Sequence, residues 1–277
     1  MKKSSRILYW SLGAAACAGA GFLYLIAPGR SRPEQRSPFE KKNFAHRGLY
    51  DPAAGIPENS MAAFRAAAEW GYGVELDVRV TRDGVAVISH DGNLRRMTGA
   101  DLVVEECDWA DIAPLRLQGT DEAIPRFDQV MDLLCRANVP VIVEVKQPPK
   151  GRGEALCRAV LAVLDEHDGA FCVESFNPHI VRWFRRHALD LLRGQLTAQR
   201  RELDVGSVLA FMASRVMFNF LGRPHFIAHR VGKKALSVRI AEALGAMRVC
   251  WTAHDRREEA ANDAVIFEHY HPPVRFL

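Results

Sequence analysis

Eight short apolar runs interleaved with helical patterns recur along this chain, and few folds accept that alternation. The runs lie at residues 43–46, 74–78, 140–146, 171–176, 192–196, 225–228, 249–252 and 264–268. Strands alternating with helices call for a parallel sheet, because a parallel neighbour is reached only through a long crossover. About 235 residues follow residue 42, the size of one α/β barrel, so no second domain is needed. The expectation is a (β/α)8 TIM barrel over residues 43–277.

One segment departs from the alternation. Too few residues separate Val78 from His90 for a crossover, and Thr81-Arg82-Asp83-Gly84 has tight-turn chemistry. Residues 74–90 are therefore predicted to form an antiparallel hairpin that brings His90 close to Glu75. Residues 91–125 follow as an excursion over the barrel mouth, or a plain surface loop, before a helix over 127–137. A helix over 61–70 is predicted to begin at Glu58-Asn59-Ser60, with Asn59 or Ser60 as its cap. Residues 208–221 carry one arginine among large apolar side chains and read either as a packed helix or as a lipid-facing lid.

Acidic residues cluster on two of the runs. In a strand, alternate side chains share a face, so Glu75 and Asp77 project together, as do Glu144 and Lys146. Three converging carboxylates must bind protons or a cation. Oxygen-only donors suit Ca2+ or Mg2+ better than Zn2+, and no cysteine or histidine pair has zinc spacing, so Glu75, Asp77 and Glu144 are candidate metal ligands. The bland alternative is a solvated strand face, or pairing with Arg79, Arg82 or Lys146.

The segments FAHRG, PENSMAAFRAAAEWG, VELDVRVTRDGVAVISHD, VIVEVK, ESFN and WTAHD resemble, in order, the signatures of the glycerophosphodiester phosphodiesterase family. The resemblance runs from about Asn43 to the C-terminus. It implies a barrel of the phospholipase-C-like phosphodiesterase type, which hydrolyses glycerophosphodiesters to glycerol 3-phosphate and an alcohol with one divalent metal ion, Ca2+ or Mg2+ with Mn2+ as a third candidate. It also implies His46 and His90 as the acid/base pair, since one neutral and one protonated imidazole serve both ends of the displacement. Arg47 and Lys146 are expected to hold the phosphate, Glu58 and Asn59 to sit close behind the site, and Trp251 to wall the pocket. Attack could come from the neighbouring glycerol hydroxyl, giving a cyclic phosphate, or from water. Each residue has a plainer use: His90 could satisfy a turn, and Arg47 could be a surface charge. The resemblance loosens near the C-terminus, where Glu268 stands in place of a threonine-aspartate pair, and this leaves the leaving-group specificity open. A lysophospholipase D-type diesterase acting on membrane lipids is the alternative activity. An inactive phosphodiester-binding protein is a third reading, although such a relative would have lost at least one of His46, Glu75, Asp77, His90 and Glu144.

Composition agrees with a folded enzyme. The 277 residues are 48% hydrophobic with a formal charge of +4, and the basic residues are scattered, so nucleic-acid binding is not expected. The six cysteines lack a pairing pattern, which argues against a disulfide framework. Residues 7–27 carry no charge and follow Lys2, Lys3 and Arg6, a length that matches a membrane-spanning helix. The expectation is an N-terminal membrane anchor (1–28), a charged, proline-bearing tether (29–42) and the barrel. A cleaved signal peptide and a lipoprotein signal ending at Cys17 are alternatives, and arginines beyond the run leave the orientation open. The partners expected are a small glycerophosphodiester and the membrane, with no obligate protein partner.

Overall fold

The structure, a computed structural model, describes residues 3–277, with side chains from residue 13 onward. Its strands are β1 (Lys42–His46), β2 (Gly73–Val80), β3 (Ala86–Ile88), β4 (Val141–Val145), β5 (Phe171–Ser175), β6 (Leu192–Thr197), β7 (Phe226–Arg230), β8 (Met247–Ala253) and β9 (Ala264–Phe267). All but β3 run parallel in the order β1-β2-β4-β5-β6-β7-β8-β9, and β9 pairs with β1 to close the barrel. All eight predicted barrel strands are present, within a few residues at their ends. The hairpin is also present, with β3 antiparallel to the upper end of β2 through Val78–Ile88 and Val80–Ala86.

Alternation sorts the strand residues into two sets. Val74, Leu76, Val78, Val141, Val143, Val145 and Val173 point outward and pack on Phe64, Phe127, Leu134, Leu156 and Phe184 of the surrounding helices. Inside the barrel, Phe44, Ile142, Cys172, Leu192, Phe226, Met247 and Ala264 fill the lower layers. Burying each large side chain contributes about 1.5–3 kcal/mol. Two glycines make room for the phenylalanines beside them: Gly73 is the register partner of Phe44, and Gly194 of Phe226. A Cβ on Gly194 would lie 2.0 Å from the Phe226 ring. The upper layers carry the charged residues of the site.

The helices differ in how far they follow expectation. The first, α1 (Lys3–Ile26), ends against the barrel, and α2 (Pro33–Arg36) lies within the stretch expected to be a tether. That stretch is not free: Gln35 donates to the Asp190 carbonyl, and Phe39 is buried beneath the barrel, stacked on Phe44. Among the described residues no helix is long and apolar enough to cross a membrane, and residues 7–12 of the expected anchor lie outside those whose side chains are described. The third helix, α3 (Met61–Trp70), is capped by Ser60, whose Oγ accepts from the Ala63 amide, so Asn59 is released for another task.

The excursion over 91–125 is a small folded cap and not a plain loop. Around α4 (Arg95–Thr98) and α5 (Trp109–Ile112), Leu94, Met97, Val104, Ile112, Leu117 and Ile124 bury one another against Val87 of β3. Barrel helices α6 (Phe127–Arg136), α7 (Gly153–Asp165) and α8 (Pro178–His187) follow. The stretch 208–221 is not one packed helix. It divides into α9 (Ser207–Ala213) and α10 (Asn219–Gly222), with Val216 between them in the left-handed region at φ 50°. Val208, Leu209 and Phe211 of α9 are exposed, whereas Val216 and Asn219 are buried. The chain continues through α11 (Leu236–Ala243) and a 3-10 segment, Arg256–Ala261.

Candidate active site

Alternation on β2 and β4 turns Glu75, Asp77 and Glu144 into the upper barrel, where a carboxylate oxygen from each lies within 4.8 Å of the others. Asp77 and Glu144 are register partners, as are Glu144 and Glu174. Glu174 of β5 thus adds a fourth buried carboxylate, one that is not among the residues expected from the sequence motifs. Applying the same alternation to the ESFN segment would have found it.

Two cations face these four acids. Lys146 Nζ lies 2.9 Å from Glu144 Oε1 and 3.0 Å from Asp77 Oδ1, and Arg47 Nε lies 3.4 Å from Asp77 Oδ2. Burial, and then the neighbouring carboxylates, push Glu75 and Glu174 well above the usual carboxylate range. Burial also acts on Asp77, but Lys146, Arg47 and the two nearby histidines outweigh it and hold Asp77 well below that range. The set suits a hard divalent cation: its donors are oxygens, and its four acids, when all ionised, exceed the two bases by two negative charges, which a divalent cation would offset where burial alone favours protons on Glu75 and Glu174.

Both histidines reach this cluster, each oriented by a carboxylate on Nδ1. His46 ends β1, and its Nδ1 lies 2.7 Å from Glu268 Oε2 while Nε2 lies 3.9 Å from Glu75. The Nδ1–H donates to ionised Glu268, which leaves Nε2 as the free nitrogen facing the cluster. Glu268 also accepts from the Tyr50 hydroxyl at 3.1 Å. Although burial opposes ionisation, the His46 bond and charge and the Tyr50 bond draw Glu268 down to about 2. In the sequence, Glu268 is marked only by its departure from the family pattern. Barrel closure gives it a place, since the β9 register sets it beside His46.

His90 bonds through Nδ1 to Asp91 Oδ1 at 2.8 Å. The hairpin register brings it to the carboxylate cluster by Asp77, because Ser89 N donates to the Asp77 carbonyl. Burial lowers the His90 pKa, with Asp77 and Asp91 opposing the change and Lys146 and Arg47 adding to it.

The remaining predicted residues assemble behind these groups. Glu58 joins Arg47 to Arg96 at 2.8 and 2.7 Å, and Arg96 also pairs with Asp91. The Arg47 fork is therefore partly engaged by protein carboxylates. Arg96 comes from the folded cap, and no sequence signal marked it. Asn59 Nδ2 donates to Asp77 Oδ2 at 2.8 Å, fixing that carboxylate from behind. Trp251 donates through Nε1 to the Ala228 carbonyl and meets Phe176 edge-on at 5.6 Å, so it forms part of the rim.

The model of the glycerophosphoryl diester phosphodiesterase family matches residues 46–270. The chain belongs to this family. A probable glycerophosphodiester phosphodiesterase 2 of Mycobacterium tuberculosis is 31% identical over 224 residues, covering 80% of this chain and 76% of that protein. A rat lysophospholipase D is 30% identical over 138 residues, 45% of this chain and 42% of that protein, so the chain spans less than half the length of this relative. Solved structures share the fold. An Oleispira antarctica phosphodiesterase in complex with the product sn-glycerol 3-phosphate superposes with a TM-score of 0.67 at 21% identity, covering 82% of this chain and 93% of that one. A glycerophosphodiester phosphodiesterase from Thermotoga maritima gives 0.59 at 24% identity, covering 81% and 93%. As a member of the glycerophosphoryl diester phosphodiesterase family, the chain is a phosphodiesterase enzyme.

Proposed function

We propose that this enzyme hydrolyses glycerophosphodiesters to glycerol 3-phosphate and an alcohol, with proton transfer by His46 and His90 beside a divalent cation. The observation that carries the reading is that two imidazoles, each with a carboxylate on Nδ1, border the three-carboxylate cluster: His46 Nε2 lies 3.9 Å from Glu75, and His90 follows Ser89, whose amide donates to the Asp77 carbonyl. Glu75, Asp77 and Glu144 would hold the cation, Ca2+ or Mg2+ with Mn2+ as the third candidate, which when bound supplies Lewis-acid polarisation of a phosphoryl oxygen. His90, kept neutral by burial, takes the proton from the attacking hydroxyl of glycerol or water. His46, aligned by Glu268, passes a proton to the leaving alkoxide. Arg47 and Lys146 offset the negative charge that grows on the phosphoryl oxygens.

The test is glycerol 3-phosphate release from glycerophosphocholine and glycerophosphoethanolamine by the full chain, with EDTA and then with added Ca2+, Mg2+ or Mn2+. Metal-restored release that is lost in His46→Ala and His90→Ala is expected. Release that survives both substitutions would remove the histidines from the mechanism.

A lysophospholipase D-type activity is the second reading. Its support is a cavity of about 460 Å3 beside the mouth, lined by Phe176, Leu209, Val216, Phe220 and Leu221 and reaching Gln147, the neighbour of Lys146. Faster turnover of lysophosphatidylcholine than of glycerophosphocholine would favour it. Membrane attachment through residues 7–27 also belongs to the proposal: the stretch is uncharged, and its residues 13–21 are exposed and clear of the barrel. Co-flotation of the full chain with phospholipid vesicles tests it.

A further inference from the structure

The last turns of α1 give the barrel a direction. At one end, Gly29 N donates to the Pro224 carbonyl and Arg223 Nη1 donates to the carbonyls of Tyr24 and Ala27. These residues precede β7 and so mark the N-terminal end of the barrel. Ile26 packs on Ile227, Val238, Ala241 and Ala246. One turn earlier, Phe22 lines a recess with Phe211 and Leu236. Leu236 opens α11 after β7 has ended, and the Ala213 carbonyl beside Phe211 accepts from Thr197 at the end of β6. Read backward from Gly29, α1 therefore climbs from the N-terminal end of the strands to the C-terminal end, where the site lies. The preceding residues, 13–21, are all exposed. At about 1.5 Å per residue they carry the helix more than 10 Å past the mouth.

The barrel surface at that end is unlike an ordinary rim. Val208 is 71% exposed, Leu209 54% and Leu236 70%, and Phe211, Phe22 and Leu23 are also exposed. Basic residues surround them: Arg200, Arg201, Arg230 and Lys233 are exposed, and the Arg215 guanidinium lies over the Phe211 ring at 3.7 Å. Glu202 and Asp204 are the acids in the same segment, so positive charge is in excess. A contiguous apolar patch with a basic border suits the interface of a bilayer that carries anionic lipid.

We propose that α9 and the start of α11 form a bilayer-docking surface that turns the mouth of the barrel toward the membrane. The apolar side chains enter the headgroup boundary and the arginines and lysine meet lipid phosphates. This rests on the membrane attachment proposed above for the direction of α1, and on the exposed α9 surface for the contact itself. A substrate at the membrane would then reach the site without crossing the aqueous phase.

The experiment uses the full chain with Cys17→Ser and Cys135→Ser, bound to vesicles of phosphatidylcholine and phosphatidylglycerol. A polarity-sensitive dye is attached at Val208→Cys or, as control, at Leu189→Cys, which is 72% exposed and precedes β6 at the opposite end. The expected result is a blue shift at 208 and several-fold stronger quenching there by brominated lipid than at 189. The shift should weaken when phosphatidylglycerol is omitted. Equal quenching at the two positions, stronger quenching at 189, or failure to float with vesicles would overturn the proposal. Glycerophosphocholine hydrolysis by the same protein is read separately, so loss of docking and loss of catalysis are distinguishable. In the Val208→Cys protein, Phe211→Glu together with Leu236→Glu should abolish the shift while leaving hydrolysis of that water-soluble diester unchanged.

Discussion

Glu268 accepts a hydrogen bond from Nδ1 of His46 at 2.7 Å, across the seam where the last strand of the barrel meets the first. The two residues are 222 positions apart, and closure alone makes them neighbours. The bond fixes which imidazole nitrogen faces the carboxylate cluster and leaves a negative charge behind any imidazolium that forms.

Removing that charge should slow turnover more than it weakens substrate binding. Glu268→Gln keeps the size and can still accept a hydrogen bond, but it no longer stabilises a cationic ring, so kcat should fall on the order of 10- to 100-fold with KM changed far less. Glu268→Asp, which keeps the charge on a shorter arm, should recover part of the loss. Steady-state kinetics on glycerophosphocholine decide the matter, and a loss confined to KM would make Glu268 a substrate contact instead.

The pH profile should report His90. Its pKa lies below the ordinary imidazole value because burial disfavours the charged ring. A base must be unprotonated to act, so the acid limb of kcat/KM should fall below pH 6.5. The Asp91 bond holds this pKa up. Asp91→Asn should therefore move the limb to still lower pH while also reducing the maximal rate. A limb that moves to higher pH would assign it to another group.

Metal dependence should separate the ligands from the histidines. Glu144→Ala removes one of three converging oxygens and should raise the metal concentration needed for half-maximal activity, with part of the rate regained in excess metal. Asn59→Ala, which frees Asp77 from its buried hydrogen bond, should shift the same titration by less, about tenfold. Titration after dialysis against EDTA measures both. In His46→Ala, no metal concentration should restore the rate.

Stability of the barrel should depend on its paired glycines. A methyl at Gly194 must displace the Phe226 ring, which is fully buried among the lower interior layers. Gly194→Ala should cost about 1–3 kcal/mol, seen as a lower thermal midpoint. Phe226→Leu introduced together with it should recover much of the loss by making room. An unchanged midpoint in the single variant would mean that the ring moves freely.

Much of the site was legible because it obeys a local rule. Period-two alternation placed Glu75 with Asp77 and Glu144 with Lys146 before any contact was known, and the short Val78-to-His90 spacing foretold a hairpin. What escaped was either tertiary or left unexamined. Arg96 reaches Glu58 and Asp91 only because residues 91–125 fold into a cap with its own small core, and nothing in a lone arginine announces that. The break between α9 and α10 escaped as well, since an apolar run does not say which of its side chains will find partners.

The chain by itself therefore determined the strands, their inward faces and the acidic and histidine groups that those faces carry, since each follows from the alternation of side chains a few residues apart. Only the tertiary structure decided that Glu268 meets His46, that Glu174 faces Glu144, and that α1 climbs toward the mouth. Those relationships depend on register, barrel closure and the packing of distant segments, in which contacts form between residues that the sequence keeps far apart.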